Sequence, residues 1–251
     1  DKLMASGTIV TLAMIEPGSV DTKYADFNKV DLSGESWVKD TVFAIKDASG
    51  TTVGFPFAIE GFGLIYNAAV VEKAVGGAFD PWSINSRDKL VELLGKIKAS
   101  GVEFPIAYQT EAWSVGNHYS SMFLNQADDP ASIAKQLTEG SLDLASNATW
   151  NGYYETMTLL ASKDYNKYGE RPLGSYYDDA HVSVGKGESA ILFNGNWAFD
   201  SFQAVSGEQF GFMPVPVDND PANPMNNKIC VGPTQLYVIN ADATPEQQAA
   251  A

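Results

Sequence analysis

Gly187-Glu188-Ser189-Ala190-Ile191-Leu192-Phe193-Asn194-Gly195-Asn196-Trp197 is the stretch from which the rest of the chain can be read. Residues 190–193 form a continuous apolar run of strand length and read as a short buried strand. Asn194-Gly195 follows with turn chemistry, because both residues tolerate a left-handed backbone. Trp197 then stands at the mouth of the next element, a helix start, instead of inside it. A large flat ring at a strand end is well placed to stack on a ligand.

Working outward, Asp178-Asp179 suits a helix N-terminus, where carboxylates meet the positive end of the dipole. That helix would run to Lys186 and hand over to the 190–193 strand. Downstream, 198–205 reads as helix, and 210–213 and 235–239 as strands. Upstream, Val53, Phe55, Phe57 and Ile59 alternate, which predicts a strand with that face inward. Residues 69–75 read as a short helix ended by Gly76-Gly77. Ser86 is the expected N-cap of a helix to Ser100, with Leu90, Leu93, Leu94 and Ile97 on one face and Gly101 ending it. A strand is predicted at 104–108, with further helices at 117–125, 131–139 and 149–163. Asn147-Ala148-Thr149 matches a glycosylation sequon but reads as a helix N-cap. Helices alternating with strands argue for an α/β fold.

The 251 residues, 45% of them hydrophobic, suffice for one large or two modest domains. A formal net charge of −15 repels phosphate backbones, so nucleic acid is not an expected partner. A single cysteine, Cys230, rules out an intrachain disulfide and reads as a small buried apolar residue. No apolar run approaches the ~18 residues of a membrane span. The opening Asp1-Lys2-Leu3-Met4 has the character of mid-helix, not of a targeting segment. The polar loop 218–224 spaces Asp and Asn as calcium loops do. It lacks the EF-hand glycine and glutamate, and reads as a solvated loop.

Enzyme chemistry finds little footing. His118 and His181 are far apart in sequence, without the spacing of a metal pair. There is no Gly-x-Ser-x-Gly elbow and no phosphate-cradling glycine loop.

The 187–197 stretch resembles the family 1 sugar-binding proteins of bacterial ABC transporters, the maltose-binding-protein-like group. In that family a G-(E/K)-x-A-(apolar)3-N-G-x-W stretch delivers a sugar-stacking tryptophan. Residues 53–67, VGFPFAIEGFGLIYN, are similar to the family segment in which a strand crosses between lobes. Residues 210–216, FGFMPVP, are similar to its returning G-x-x-P-x-P segment. The three occur in the family's order.

The resemblance implies a two-lobed α/β fold of the type II periplasmic-binding-protein kind. The hinge would lie near Glu60-Gly61 and the return near 214–216. The first lobe would comprise 1–60 and 216–251, the second 61–215, with a ligand cleft between them. It further implies hinge closure over a mono- or oligosaccharide and delivery to membrane permease subunits of an ABC importer. A monomer without cofactor or catalytic activity is expected, in the periplasm or lipid-anchored at a bacterial cell surface. Against typical members, the opening strand-and-helix portion and the last helices do not appear, so the first lobe is expected to be incomplete.

A sugar presents hydroxyls, which suit carboxylates, and C–H faces, which suit aromatic planes. Three predicted strand ends offer both: Glu60 after 53–59, Glu111 and Trp113 after 104–108, and Trp197 after 190–193. Trp197 stands in the family's stacking position. Each of the four also has a bland reading, as a surface carboxylate or a core ring. Trp37, Trp82 and Trp150 are expected to be packing residues, and Tyr176 and Tyr177 are weaker cleft candidates. Two alternatives stay open here. One is a carbohydrate hydrolase using Glu60 and Glu111, which a turnover assay would reveal. The other is a binder of a non-sugar solute such as a polyamine, which would favour carboxylates over tryptophans.

Overall fold

A computed structural model of the chain describes residues 6–108, 111–172, 174 and 176–251. The opening Asp1-Lys2-Leu3-Met4 lies outside them. The strands are β1 (Leu12–Ile15), β2 (Ile45–Lys46), β3 (Thr52–Asn67), β4 (Ile191–Gly195), β5 (Phe210–Met213) and β6 (Cys230–Ile239). The α-helices are α1 (Ala68–Val75), α2 (Arg87–Ala99), α3 (Met122–Asn125), α4 (Pro130–Thr138), α5 (Ala148–Ala161), α6 (Tyr177–Gly185), α7 (Phe199–Gln203) and α8 (Pro245–Ala250). The chain divides into two compact units, Asp1–Glu60 with Val231–Ala251, and Gly61–Cys230.

In the first unit, β1 pairs antiparallel with β6, Leu12 opposite Ile239 through Ile15 opposite Leu236. β2 pairs antiparallel with the start of β3, Ile45 opposite Gly54. Ile15, Val20, Phe27, Val53, Leu236 and Val238 form its core. The 53–59 alternation does not point inward throughout. Val53 is buried, but Phe55, Phe57 and Ile59 are 43%, 51% and 38% exposed. Trp37 and Tyr237 reach Phe55 and Phe57 only edge-on, at 5.0 and 4.9 Å. Among the described residues, this unit has short 3-10 turns and the six-residue α8 to cover its sheet. That leaves one apolar face in water.

The second unit is built on the far half of β3, which extends to Asn67, well past the expected end at 59. Glu60 is therefore inside a strand and not at its end. β4 pairs antiparallel with β3, Phe62 opposite Gly195 through Tyr66 opposite Ile191. β5 pairs antiparallel with it too, Leu64 opposite Met213 through Asn67 opposite Phe210. Side chains alternate across a strand, so both faces of this sheet are buried. Phe62, Leu64, Tyr66, Ile191 and Phe193 meet Leu90, Leu94 and Ile97 of α2 and Tyr153 and Leu160 of α5. Ile65 and Leu192 meet Ala180 and Val184 of α6 and Phe202 of α7. A strand covered on both faces reads as a continuous apolar run, and all five residues of β4 are buried.

Helix ends follow local chemistry. The Asn67 side chain accepts the Val70 N–H, Ser86 Oγ that of Lys89 and Asn147 Oδ1 that of Trp150 at 2.8 Å. Each is an N-cap bond. Gly76 and Gly101 close α1 and α2 with φ +78° and +106°, where a Cβ would be strained. Asp178 and Asp179 lie in the first turn of α6.

Two further predicted elements differ. Residues 104–108 form only an isolated parallel bridge at Ile106, to Asn166 and Ile191. Pro105 has no N–H to give a ladder. The Asn166 side chain takes both backbone groups of Tyr108, accepting its N–H at 2.9 Å and donating to its carbonyl at 3.0 Å. An amide side chain thus does what a neighbouring strand would have done. The helix expected at 117–125 is instead a π-helix, Ser114–Tyr119, followed by α3.

Residues 216–230, expected in the first lobe, fold with the second unit, which the chain leaves only after Cys230. Val217 and Cys230 join its core. Arg87 fastens this segment, donating to the carbonyls of Val217 at 2.6 Å and Gly152 at 2.9 Å and to Thr156 Oγ1 at 3.0 Å. Burial pushes the Cys230 thiol up to about 11, as for an inert packed cysteine.

Candidate functional site

β4 ends at Gly195 and hands over to a 3-10 turn, Asn196–Ala198, that carries Trp197. Asn194-Gly195 does not turn. Both residues are strand, and Gly195 has φ −118° and ψ 176°. The glycine is needed for space. A Cβ there would lie 2.0 Å from Cζ3 and 2.2 Å from Cη2 of Trp197. The indole therefore rests against the α-carbon of Gly195, which fixes the ring at the strand end.

Trp113 sits just before the π-helix. The wider turn carries an i→i+5 bond, Ser120 N–H to the Val115 carbonyl at 3.1 Å. A spacing of five then places Trp113 and His118 together, ring centroids 5.6 Å apart at 74°. His118 stacks on Phe62 at 4.8 Å and 18° and lies 5.1 Å from Trp197. Trp113 and Trp197 meet at 6.0 Å and 65°. Tyr177 closes the group, 5.6 Å from Trp113. Trp113 remains 37% exposed and Trp197 is half-buried. The arrangement is an aromatic platform of mutually tilted, partly exposed rings, a type of surface suited to apolar C–H groups of a ligand.

A model of bacterial extracellular solute-binding proteins matches residues 4–251. The chain belongs to that family. No curated protein sequence matches it. Solved structures similar to this solute-binding protein include a family 1 extracellular solute-binding protein from Bifidobacterium longum subsp. infantis, 19% identical with TM-score 0.65. Another is apo RafE from Streptococcus pneumoniae, 17% identical with TM-score 0.74. A third is a sugar transporter from Bacillus licheniformis in complex with stachyose, 17% identical with TM-score 0.62. The chain is covered to 99% in each case and spans 63%, 63% and 64% of those chains. At these identities the likeness shows the fold, the α/β fold of the solute-binding proteins. The family is an extracellular, solute-binding one. Among the described residues no helix is long and apolar enough to cross a membrane.

Of the four residues singled out from the sequence of this solute-binding protein, the structure brings together Trp113 and Trp197. Glu111 stands two residues before Trp113, half-buried, its backbone carbonyl accepting the Val115 N–H at 2.9 Å. Glu60 lies in the first unit, half-buried on β3. Trp150 packs edge-on to Phe123 at 5.0 Å, as expected of a packing residue. Trp82 does not pack; it is 51% exposed in the turn Pro81–Ser83. Tyr177 joins the platform, whereas Tyr176 stacks on Tyr168 at 4.2 Å and 5°.

His118 and Phe62 escaped the sequence reading. A spacing of five is not a shared face on an α-helix, where neighbours are three or four apart, so Trp113 and His118 gave no periodic signal. Phe62 reaches the platform through the β3–β4 register, which sets it opposite Gly195.

No group of three or more His, Cys, Asp or Glu able to hold a metal occurs among the described residues. In the 218–224 loop, the Asp218 carboxylate accepts from Asn223 Nδ2 at 2.6 Å, Asn226 Nδ2 at 2.9 Å and the Asp220 N–H at 3.0 Å. Burial pushes its pKa up, but these hydrogen bonds outweigh that and hold it below the usual carboxylate value. Asp218 organises its own loop.

Proposed function

We propose that this chain is an extracytoplasmic sugar receptor that captures a mono- or oligosaccharide and passes it to an ABC importer. The observation that carries this reading is the aromatic platform, two tryptophans 6.0 Å apart with a histidine against both. Pyranose rings offer C–H faces to such planes and hydroxyls to carboxylates. Trp197 and Trp113 supply the planes in this proposal, and Glu60 and Glu111 accept hydroxyl hydrogens. Structures of similar fold support a sugar as ligand, being described in complex with raffinose, stachyose and, for a binding protein of an ABC transporter, mannobiose. The receptor works as a monomer without catalysis beside membrane permease subunits, in the periplasm or lipid-anchored at a bacterial cell surface.

Titration calorimetry with raffinose, stachyose and mannobiose tests the reading. Trp197→Ala should weaken binding by about 1–3 kcal/mol, and Glu60→Gln by roughly tenfold with little change in melting temperature. Unchanged affinity in folded Trp197→Ala protein refutes the platform. Turnover of any of these sugars refutes the binding role.

A further inference from the structure

His181 is 2% exposed inside α6, and the platform described above does not use it directly. Its Nδ1 lies 2.7 Å from the backbone carbonyl of Tyr177. A carbonyl only accepts, so Nδ1 carries the proton. Nε2 is then bare, and it accepts from Asn194 Nδ2 at 2.9 Å. The amide orientation is set from the other side, because Asn194 Oδ1 accepts the Gly195 N–H at 2.9 Å. Each end of this bridge leads to one tryptophan. The Tyr177 ring packs on His181 at 4.3 Å and on Trp113 at 5.6 Å. Asn194 adjoins Gly195, whose α-carbon backs the Trp197 ring.

We infer that His181 is a positioning residue. As a neutral imidazole it locks the Trp197-bearing strand end to the helix end that contacts Trp113, so ligand affinity weakens when the site is acidified. This rests on the sugar-receptor reading for its ligand, though not for its geometry.

The chemistry of the bridge allows no easy relief. Protonation adds a donor at Nε2 facing the Asn194 NH2 group. Flipping the amide would give the imidazolium an acceptor, but would turn the NH2 against the Gly195 N–H. Either way two donors face each other in a buried place, and an unmade buried hydrogen bond is costly. The displaced backbone is the one on which Trp197 rests. Around the ring, among the described residues, the charged group acting on it is Asp178 of its own helix, while β4 presents Asn194 and α7 presents Phe202 at 5.2 Å. Burial lowers the His181 pKa below its ordinary value, against the opposing pull of the Tyr177 carbonyl and Asp178. The imidazole is therefore neutral near pH 7 and charges only on acidification.

The test is calorimetry of the whole chain with raffinose at pH 7.5 and pH 5.0, with stachyose and mannobiose as further probes. Wild-type affinity should fall about fivefold or more on acidification, the equivalent of one hydrogen bond. His181→Gln keeps an acceptor for Asn194 but cannot titrate. It should bind nearly as wild type at pH 7.5 and show a flatter profile. His181→Leu should bind more weakly at both pH values. His118 is intact in these variants, so the difference between profiles belongs to His181. A His181→Gln profile as steep as wild type overturns the inference. So does a His181→Leu protein that binds like wild type. If none of the three sugars binds at pH 7.5, the sugar reading fails by itself. Tryptophan emission of the ligand-free chain then decides the positioning role, with coincident wild-type and His181→Gln pH curves overturning it. The same curves decide if His181→Leu does not fold.

Discussion

Gly195→Ala separates the scaffold from the platform. The backbone at Gly195, φ −118° and ψ 176°, is ordinary strand that alanine adopts freely. The added methyl, however, would sit 2.0 Å from Cζ3 of Trp197. Carbon–carbon contact needs about 3.5–4.0 Å, so the indole must retreat by roughly 1.5–2 Å. Overpacking of this kind costs about 1–3 kcal/mol, and a modest fall in melting temperature is expected. The larger effect should be on binding. A ring moved that far leaves its contacts with His118 at 5.1 Å and Trp113 at 6.0 Å, each aromatic pair being worth about 0.5–1.5 kcal/mol. It also leaves the position where a sugar face would lie, so affinity for raffinose or stachyose should drop about tenfold, or ~1.4 kcal/mol. Calorimetry on Gly195→Ala, Trp197→Ala and the double variant forms a closed cycle. If the glycine acts through the ring, adding Gly195→Ala to Trp197→Ala costs no further affinity. An equal loss in both backgrounds would refute the reasoning, as would unchanged affinity and unchanged tryptophan emission in a folded Gly195→Ala protein.

Arg87→Met should destabilise the second unit by about 3 kcal/mol in urea unfolding, because it strips charged hydrogen bonds from the buried carbonyls of Gly152 and Val217. The Arg87–Glu155 ion pair should add little, since the glutamate side chain is 66% exposed. Gly101→Ala meets open space but a φ of +106°, so it should cost about 1 kcal/mol from backbone strain alone, read as a lower melting temperature. Asp218 has a lowered pKa in the folded chain, so its contribution is complete above the ordinary carboxylate range and disappears as pH falls through the folded value. Melting temperature followed from pH 7 downward should therefore fall less steeply for Asp218→Ala than for wild type; parallel curves would show that Asp218 is not coupled to folding.

Much of the scaffold is legible in single residues because it rests on interactions that reach only a few positions. Ser86 and Asn147 announce helix starts because their side chains bond N–H groups three residues on. Gly76 and Gly101 announce helix ends because the backbone there turns left-handed. The apolar run 190–193 announces a strand buried on both faces, as β4 is. Other features depend on groups distant in sequence, and there local reading failed. Residues 104–108 lost their ladder to the Asn166 side chain. Asn194-Gly195, with the composition of a turn, stayed extended because β3 pairs with it. The 55–59 face alternates as a buried strand should, yet among the described residues no layer of its unit covers it. The sequence by itself thus determined the α/β class, which follows from periodicity, while its ordered motifs carried the resemblance to the family and pointed to the two tryptophans. Only the tertiary structure decided that Trp113 and Trp197 meet, with His118 between them and Phe62 beneath. That meeting depends on a π-turn and a strand register, whose hydrogen bonds join residues that no local pattern couples.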